Sequence, residues 1–254
     1  PGSSPSDRRR YPGAGTVTAV HPMERLRLVA RAGGSAREVA LGAAQALSPV
    51  AGNPAALLTA CRRLVARRPG SGPLVWLAAR ALCAPNPADA LRQSEALLRA
   101  DPTPDRIGAT LPAGSVVVVA QGVLYPGSDR RPDLQVVVGE EAAVPAADLV
   151  LAEATAWGPD GWLAPTGTAA LLQQASASGV EVWVVVGRGV ALPEQMWSLV
   201  VADRRPDQWA GFGLDLLGSG SVVQVLGETG PVIPGSVAGR SDCPVVAELF
   251  GGTV

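Results

Sequence analysis

The stretch ADLVLAEATAWGPDGWLAPTGTAALLQQASASGVEVWVVV, residues 147–186, alternates strand and helix signals closely enough to decide the fold class. Residues 149–151 form a short apolar run, and Gly158-Pro159-Asp160-Gly161 reads as a turn. Residues 166–178 then carry a helical pattern closed by Gly179, and 180–186 form a second apolar, β-branched run. Short apolar runs without polar alternation are the form of strands buried on both faces of a parallel sheet. A glycine just past a helix supplies its left-handed cap. Strand, helix and strand make an α/β unit with a right-handed crossover. Further runs at 116–119, 134–138, 199–201 and 222–226 are expected to extend this sheet. The connections after Val119 and Val138 are too short for crossover helices, so the sheet domain is expected to be reduced in size.

Upstream, residues 23–100 read as a helical bundle. Ser35 and Glu38 form a capping box, and Asn53-Pro54 and Asn86-Pro87 each place a capping side chain before a proline at the first helical position. Leu57, Leu58, Cys61, Leu64 and Val65 recur at helical spacing, as do Leu74, Leu77, Ala78 and Leu82. Segment 101–110, with Pro102 and Pro104, is expected to break the pattern and mark the domain boundary. The chain thus divides into a flexible tail with three arginines (1–21), an N-terminal helical domain (22–104) and a C-terminal α/β domain (105–254). The Gly- and Pro-rich residues 203–254 are open to three readings: lid, dimer arm or simple loops.

The 254 residues are 47% hydrophobic and 17% charged, with a formal net charge of -1, which excludes a disordered polyelectrolyte and argues against a nucleic-acid binder. All 21 basic residues are arginine, which removes Schiff-base chemistry and the lysine of a phosphate-binding P-loop. His21 is the single histidine, and Cys61, Cys83 and Cys243 form no CxxC pair, so neither a metal site nor a disulfide framework is signalled. No apolar run approaches the roughly 20 residues needed to span a bilayer. The expectation is a soluble, cytoplasmic protein with no metal, cofactor or membrane partner.

Thr166-Gly167-Thr168 opens a helix, where partnerless N–H groups and the positive dipole end favour an anion. Around it, Asp148, Leu149, Val150, Gly158, Asp160, Gly161, Gly167, Thr168, Leu171, Ala175, Gly179, Val180 and the strand 182–186 resemble a known signature. It belongs to the family of translation initiation factor 2B subunits α, β and δ, with methylthioribose-1-phosphate isomerase and ribose-1,5-bisphosphate isomerase. RRPGSGPLVWLAARAL (67–82) and RAGGSAREVALGAAQAL (31–47) are similar to two upstream motifs of the same family. The resemblance covers about residues 25–190 and not the last sixty or so. It implies an N-terminal helical domain on a Rossmann-like (ribose-5-phosphate isomerase/CoA transferase-like), mostly parallel sheet. It also implies a homodimer, with a sugar phosphate or nucleotide bound between the domains. By motif position the implied ligand contacts are Arg31, Arg68, Gln121, Thr155, Asp160, Gly167 and Thr168. A guanidinium fork suits phosphate oxygens. Read without the resemblance, Arg67 and Arg68 simply close a helix, where cations favour the dipole.

The isomerases of that family relay a proton through a cysteine after the first strand and an aspartate in a "GAD" segment. Gln121 stands nearest the first position and Thr155 at the second, and neither relays a proton at neutral pH. Glu153, on the same strand face as Thr155, is the one candidate substitute. The expectation is a non-catalytic protein that binds a phosphorylated sugar or nucleotide. The alternatives are an aldose-ketose isomerase with a rebuilt acid/base pair and a dimeric interaction module with an empty cleft. Trp157 and Trp162 are expected to pack rather than stack on ligand, Trp76 and Trp183 to be core, and Cys61 and Cys83 to lie on buried helix faces.

Overall fold

The computed structural model describes residues 34–120, 131–202 and 204–251. The expected tail 1–21, Arg31 and Gln121 lie outside these residues.

The helical half begins where its caps place it. Ser35 Oγ accepts the Glu38 N–H at 3.2 Å while Glu38 Oε2 accepts the Ser35 N–H at 2.9 Å, and α1 runs over Ala36–Leu47. Asn53 and Asn86 accept the N–H groups of Ala56 and Asp89, opening α2 (Pro54–Arg67) and α4 (Pro87–Arg99) on either side of α3 (Gly72–Cys83). From Gly72 through Ala79 every residue of α3 is buried, so α3 is the axis that α1, α2 and α4 surround. Cys61 is buried, as expected, whereas Cys83 is exposed. It is the last residue of α3, where the helix leaves the bundle.

Segment 101–110 contains a helix rather than a break. Asp101 Oδ1 accepts the N–H and the hydroxyl of Thr103 at 2.9 and 2.6 Å, and Pro104 sits in the first turn, where a missing N–H costs nothing. This α5 (Thr103–Thr110) buries Ile107 against Val117, Leu149, Leu151 and Leu226 on one face of the sheet.

That sheet has six strands. They are β1 (Val116–Val119), β2 (Gln135–Val138), β3 (Leu149–Glu153), β6 (Glu181–Val185), β8 (Gln224–Gly227) and β9 (Gly230–Val232), in the order β2-β1-β3-β6-β8-β9. All neighbours are parallel except β8 and β9, and the other face is covered by α6 (Thr168–Ser178). Between β2 and β3 there is only a 3-10 turn, Glu141–Ala146, where larger α/β units carry a crossover helix. Three strands missed in the sequence, β4 (Ala156–Trp157), β5 (Gly161–Pro165) and β7 (Leu214–Gly218), form a separate antiparallel sheet. Trp157 and Trp162 stack on each other there, ring centroids 5.9 Å apart and both buried, as expected of packing residues. Trp76 and Trp183 are also buried.

Residues 199–201 are not a strand. They end α7 (Glu194–Val201), whose buried Met196, Trp197 and Val200 follow helical spacing, a period that three apolar residues alone do not reveal. A short α8 (Pro206–Trp209) precedes β7. After β9 the chain crosses back to the helical half, where Cys243, Val246 and Leu249 enter its core and Arg62 Nε donates to the Glu248 carbonyl at 2.6 Å. No helix among the described residues is long and apolar enough to cross a membrane.

Candidate functional site

The turn between α2 and α3, Arg68-Pro69-Gly70-Ser71, is fixed by close approach. A Cβ on Gly70 would lie 2.3 Å from Leu214 Cδ1, and one on Gly72 would lie 2.6 Å from the Val190 carbonyl oxygen. Backbone leaves room only for glycine at Gly72, whereas at Gly70 the Leu214 side chain would have to move aside. The Gly72 N–H donates to the Thr155 carbonyl at 2.7 Å, which ties the start of α3 to the turn after β3.

This junction leaves a cavity of about 270 Å³ between the helical half and the sheets. Its walls are Arg67, Arg68, Gly70 and Ser71 from the turn, Val39 from α1, Thr155, Pro165 at the end of β5, and Phe212. Ser71 is the N-cap of α3 but makes no capping bond. It is only 7% exposed, and its Oγ has no hydrogen-bond partner among the described residues. A buried hydroxyl left unpaired costs on the order of 1–3 kcal/mol, so this one stands out at the positive end of a helix dipole, in a cavity wall that also carries Arg67 and Arg68. Phe212, 44% exposed, borders the same opening.

The structure brings Arg68 and Thr155 to this one cavity. Thr155 Oγ1 donates to the Leu163 carbonyl at 3.2 Å. Gly167 and Thr168 sit elsewhere, at the start of α6. Gly167 has φ +98, and its N–H and that of Ala169 donate to Asp215 Oδ2 at 3.0 and 2.9 Å. Thr168 is buried and donates to the Pro165 carbonyl at 2.7 Å. A carboxylate of the chain itself therefore holds the helix end singled out for an anion. Asp160 accepts the Trp197 Nε1–H at 2.5 Å in the β4–β5 turn. Glu153, at the end of β3, lines a separate cavity of about 50 Å³ with Asp101, Thr103 and Arg188. Arg31 and Gln121 are outside the described residues. Sequence reading missed Ser71 and Phe212. A Ser-Gly-Pro helix opening of the same kind as the Asn-Pro pairs was the available signal for Ser71. Nothing local flags Phe212.

Arg67 and Arg68 are the only ionisable side chains among the described residues that line the cavity, and no Asp, Glu, His or Cys of that set joins them. Among the described residues no group of three or more His, Cys, Asp or Glu is arranged to hold a metal ion.

No family model and no curated protein matches the chain. Solved structures do. The β subunit of eIF2B from Chaetomium thermophilum aligns over 89% of this chain and 92% of its own, at 15% identity and TM-score 0.67. The translation initiation factor eIF-2B of Pyrococcus horikoshii OT3 aligns over 84% of this chain and 97% of its own, at 15% identity and TM-score 0.60. The 5-methylthioribose 1-phosphate isomerase of Pyrococcus horikoshii OT3 covers 85% of each chain at 13% identity and TM-score 0.51. At such identities the likeness is one of architecture: the chain has the fold of the eIF2B subunits and of 5-methylthioribose 1-phosphate isomerase, the two groups that segments 147–186 and 67–82 resemble.

Proposed function

We propose that the cavity at the α2–α3 turn binds the phosphate group of a phosphorylated sugar or nucleotide and that no isomerisation follows. The observation that carries this reading is the Ser71 hydroxyl, buried and without a partner among the described residues, at the start of α3 and in a cavity wall that also carries Arg67 and Arg68. Phosphate oxygens accept from a hydroxyl, a guanidinium fork and a helix N-terminus together. Phe212, half-exposed at the opening, supplies apolar surface for the less polar part of the ligand. An aldose-ketose isomerase needs a group that takes a proton from one carbon and returns it to the next. The described residues of this cavity bring only guanidinium, hydroxyl and apolar groups. Glu153 belongs to the neighbouring cavity rather than to this one. A homodimer remains part of the proposal, as does the nature of the ligand.

A ligand that binds only the folded state raises its stability by mass action. Thermal unfolding in the presence of ribose 5-phosphate, methylthioribose 1-phosphate and AMP is therefore expected to shift upward for at least one of them, and Arg68→Ala is expected to abolish the shift. No shift with any of the three favours the empty interaction module instead.

A further inference from the structure

A second cavity, of about 320 Å³, opens at the carboxyl ends of β6 and β8 and shares no lining residue with the first. Its floor is apolar, made by the buried Val186, Val225 and Val237, and its charged wall carries Arg188, Glu228, Arg240 and Asp242.

The hydrogen-bonding capacity of that wall is unevenly spent. Glu228 pairs with Arg188 Nη2. Asp242 Oδ1 accepts the Trp76 Nε1–H at 2.7 Å, and its Oδ2 stands 3.5 Å from Arg80 Nη1 and 3.8 Å from Arg188 Nη1. Both carboxylates are therefore committed to partners. Two donors are not. Arg188 Nε is buried with no partner, and the exposed Arg240 lines the opening with no ion pair or hydrogen bond from its side chain, both among the described residues. Unspent donors above an apolar floor call for an acceptor-bearing group on a short hydrophobic body.

The charge of that group follows from its neighbours. Glu228 and Asp242 stand by the Arg188 guanidinium, and a third carboxylate, Asp101, accepts the Arg188 backbone N–H at 2.9 Å. Burial first, and then the Asp101 and Asp242 charges, push the Glu228 carboxyl above its ordinary value against the opposing pull of Arg188. A dianion would meet this negative field at close range, whereas a monoanion held by two donors meets it at half the cost. We propose that this cavity is a binding site for a small monocarboxylate with an aliphatic or aromatic body. Its carboxylate sits on Arg240 and the Arg188 Nε–H, and its body lies on Val186, Val225 and Val237.

Isovalerate and benzoate are the probes, titrated into the full chain by ligand-observed NMR, with inorganic phosphate as the contrasting anion. At least one carboxylate is expected to bind saturably. Arg240→Ala is expected to weaken it about tenfold, the worth of a charge-assisted hydrogen bond. Thr229→Trp, on the exposed rim, is expected to block it, and Arg68→Ala in the other cavity to leave it unchanged. Absence of saturable binding by both probes overturns the proposal, as does binding that survives both Arg240→Ala and Thr229→Trp. Phosphate binding that Arg240→Ala removes overturns the assigned ligand class.

Discussion

Ser71 is a residue whose stability cost and proposed role in ligand binding point in opposite directions. Its hydroxyl is buried without a partner among the described residues, so replacing it by alanine removes an unpaired polar group rather than a contact. Ser71→Ala is expected to leave the ligand-free protein equally stable, or more stable by up to about 1 kcal/mol, while reducing the phosphate-induced thermal shift. Denaturant unfolding with and without ligand checks both halves, and a loss of ligand-free stability contradicts the assignment. The cysteines make a second residue-level prediction. Burial pushes the Cys61 thiol up to about 12 and does the same for Cys243, where the Asp242 charge adds to the effect. Both therefore remain neutral thiols at physiological pH, while Cys83 is exposed. Iodoacetamide is expected to modify Cys83 alone in the native protein and all three cysteines after denaturation, read by intact mass.

At the level of elements, α1 and α4 are joined by polar contacts as well as by their apolar faces. Arg37 Nε and Nη2 donate to the Leu98 and Arg99 carbonyls at 2.7 and 3.0 Å, closing the end of α4 with a cation where its dipole is negative. Glu95 of α4 accepts from Gln45 of α1 at 3.0 Å and from Arg99 at 2.7 Å. The Gln45 hydrogen bond first, and then Arg99, hold its carboxyl below the ordinary 4.5. A folded-state value below the unfolded one gives stability that is complete above the unfolded value and is lost as pH falls through the folded one. The stability gap between wild type and Glu95→Gln is therefore expected to be constant at neutral pH and to shrink below about pH 4.5. A gap independent of pH from 3 to 7, roughly, contradicts this.

The same elements show what the sequence could and could not reveal. The helix starts at Ser35, Asn53 and Asn86 were legible because a cap is a local arrangement of a side chain and an N–H three residues on. β1, β3 and β6 were legible because their runs are apolar and largely buried on both faces, whereas β2, expected to be buried like them, is an edge strand with Gln135 and Val138 exposed. The β4-β5-β7 sheet was not, since β4 is two residues long and β7 joins β5 from about fifty residues away. Asp215, carried by β7, reaches the start of α6 for the same reason without any nearby signal. Arg68 and Thr155, grouped by the resemblance, line one cavity, whereas Ser71 joins them only through the folding of the turn, a juxtaposition that no local pattern reveals.

Over the whole molecule the two halves are fastened by the C-terminal segment. Asp242 accepts from Trp76 at the centre of the helical half and neighbours Arg188 at the end of the main sheet. Ser241 Oγ donates to the Ala191 carbonyl at 2.7 Å. Asp242→Ala strands the Trp76 N–H in a fully buried position and is expected to cost about 1–3 kcal/mol. Hydrogen exchange should also rise in α3 and in residues 241–250 together, since one fastening serves both. Unchanged exchange in either segment contradicts that coupling. The first cavity is formed between these fastened halves, with its donors on the helical side and Thr155 on the other.

The most direct test of the central claim is a ³¹P NMR titration of methylthioribose 1-phosphate, ribose 5-phosphate and AMP with the protein. The expected result is broadening or displacement of the signal of at least one of them that Arg68→Ala removes, with no new resonance after prolonged incubation. A growing ketose-phosphate signal, or three spectra that the protein leaves untouched, contradicts it.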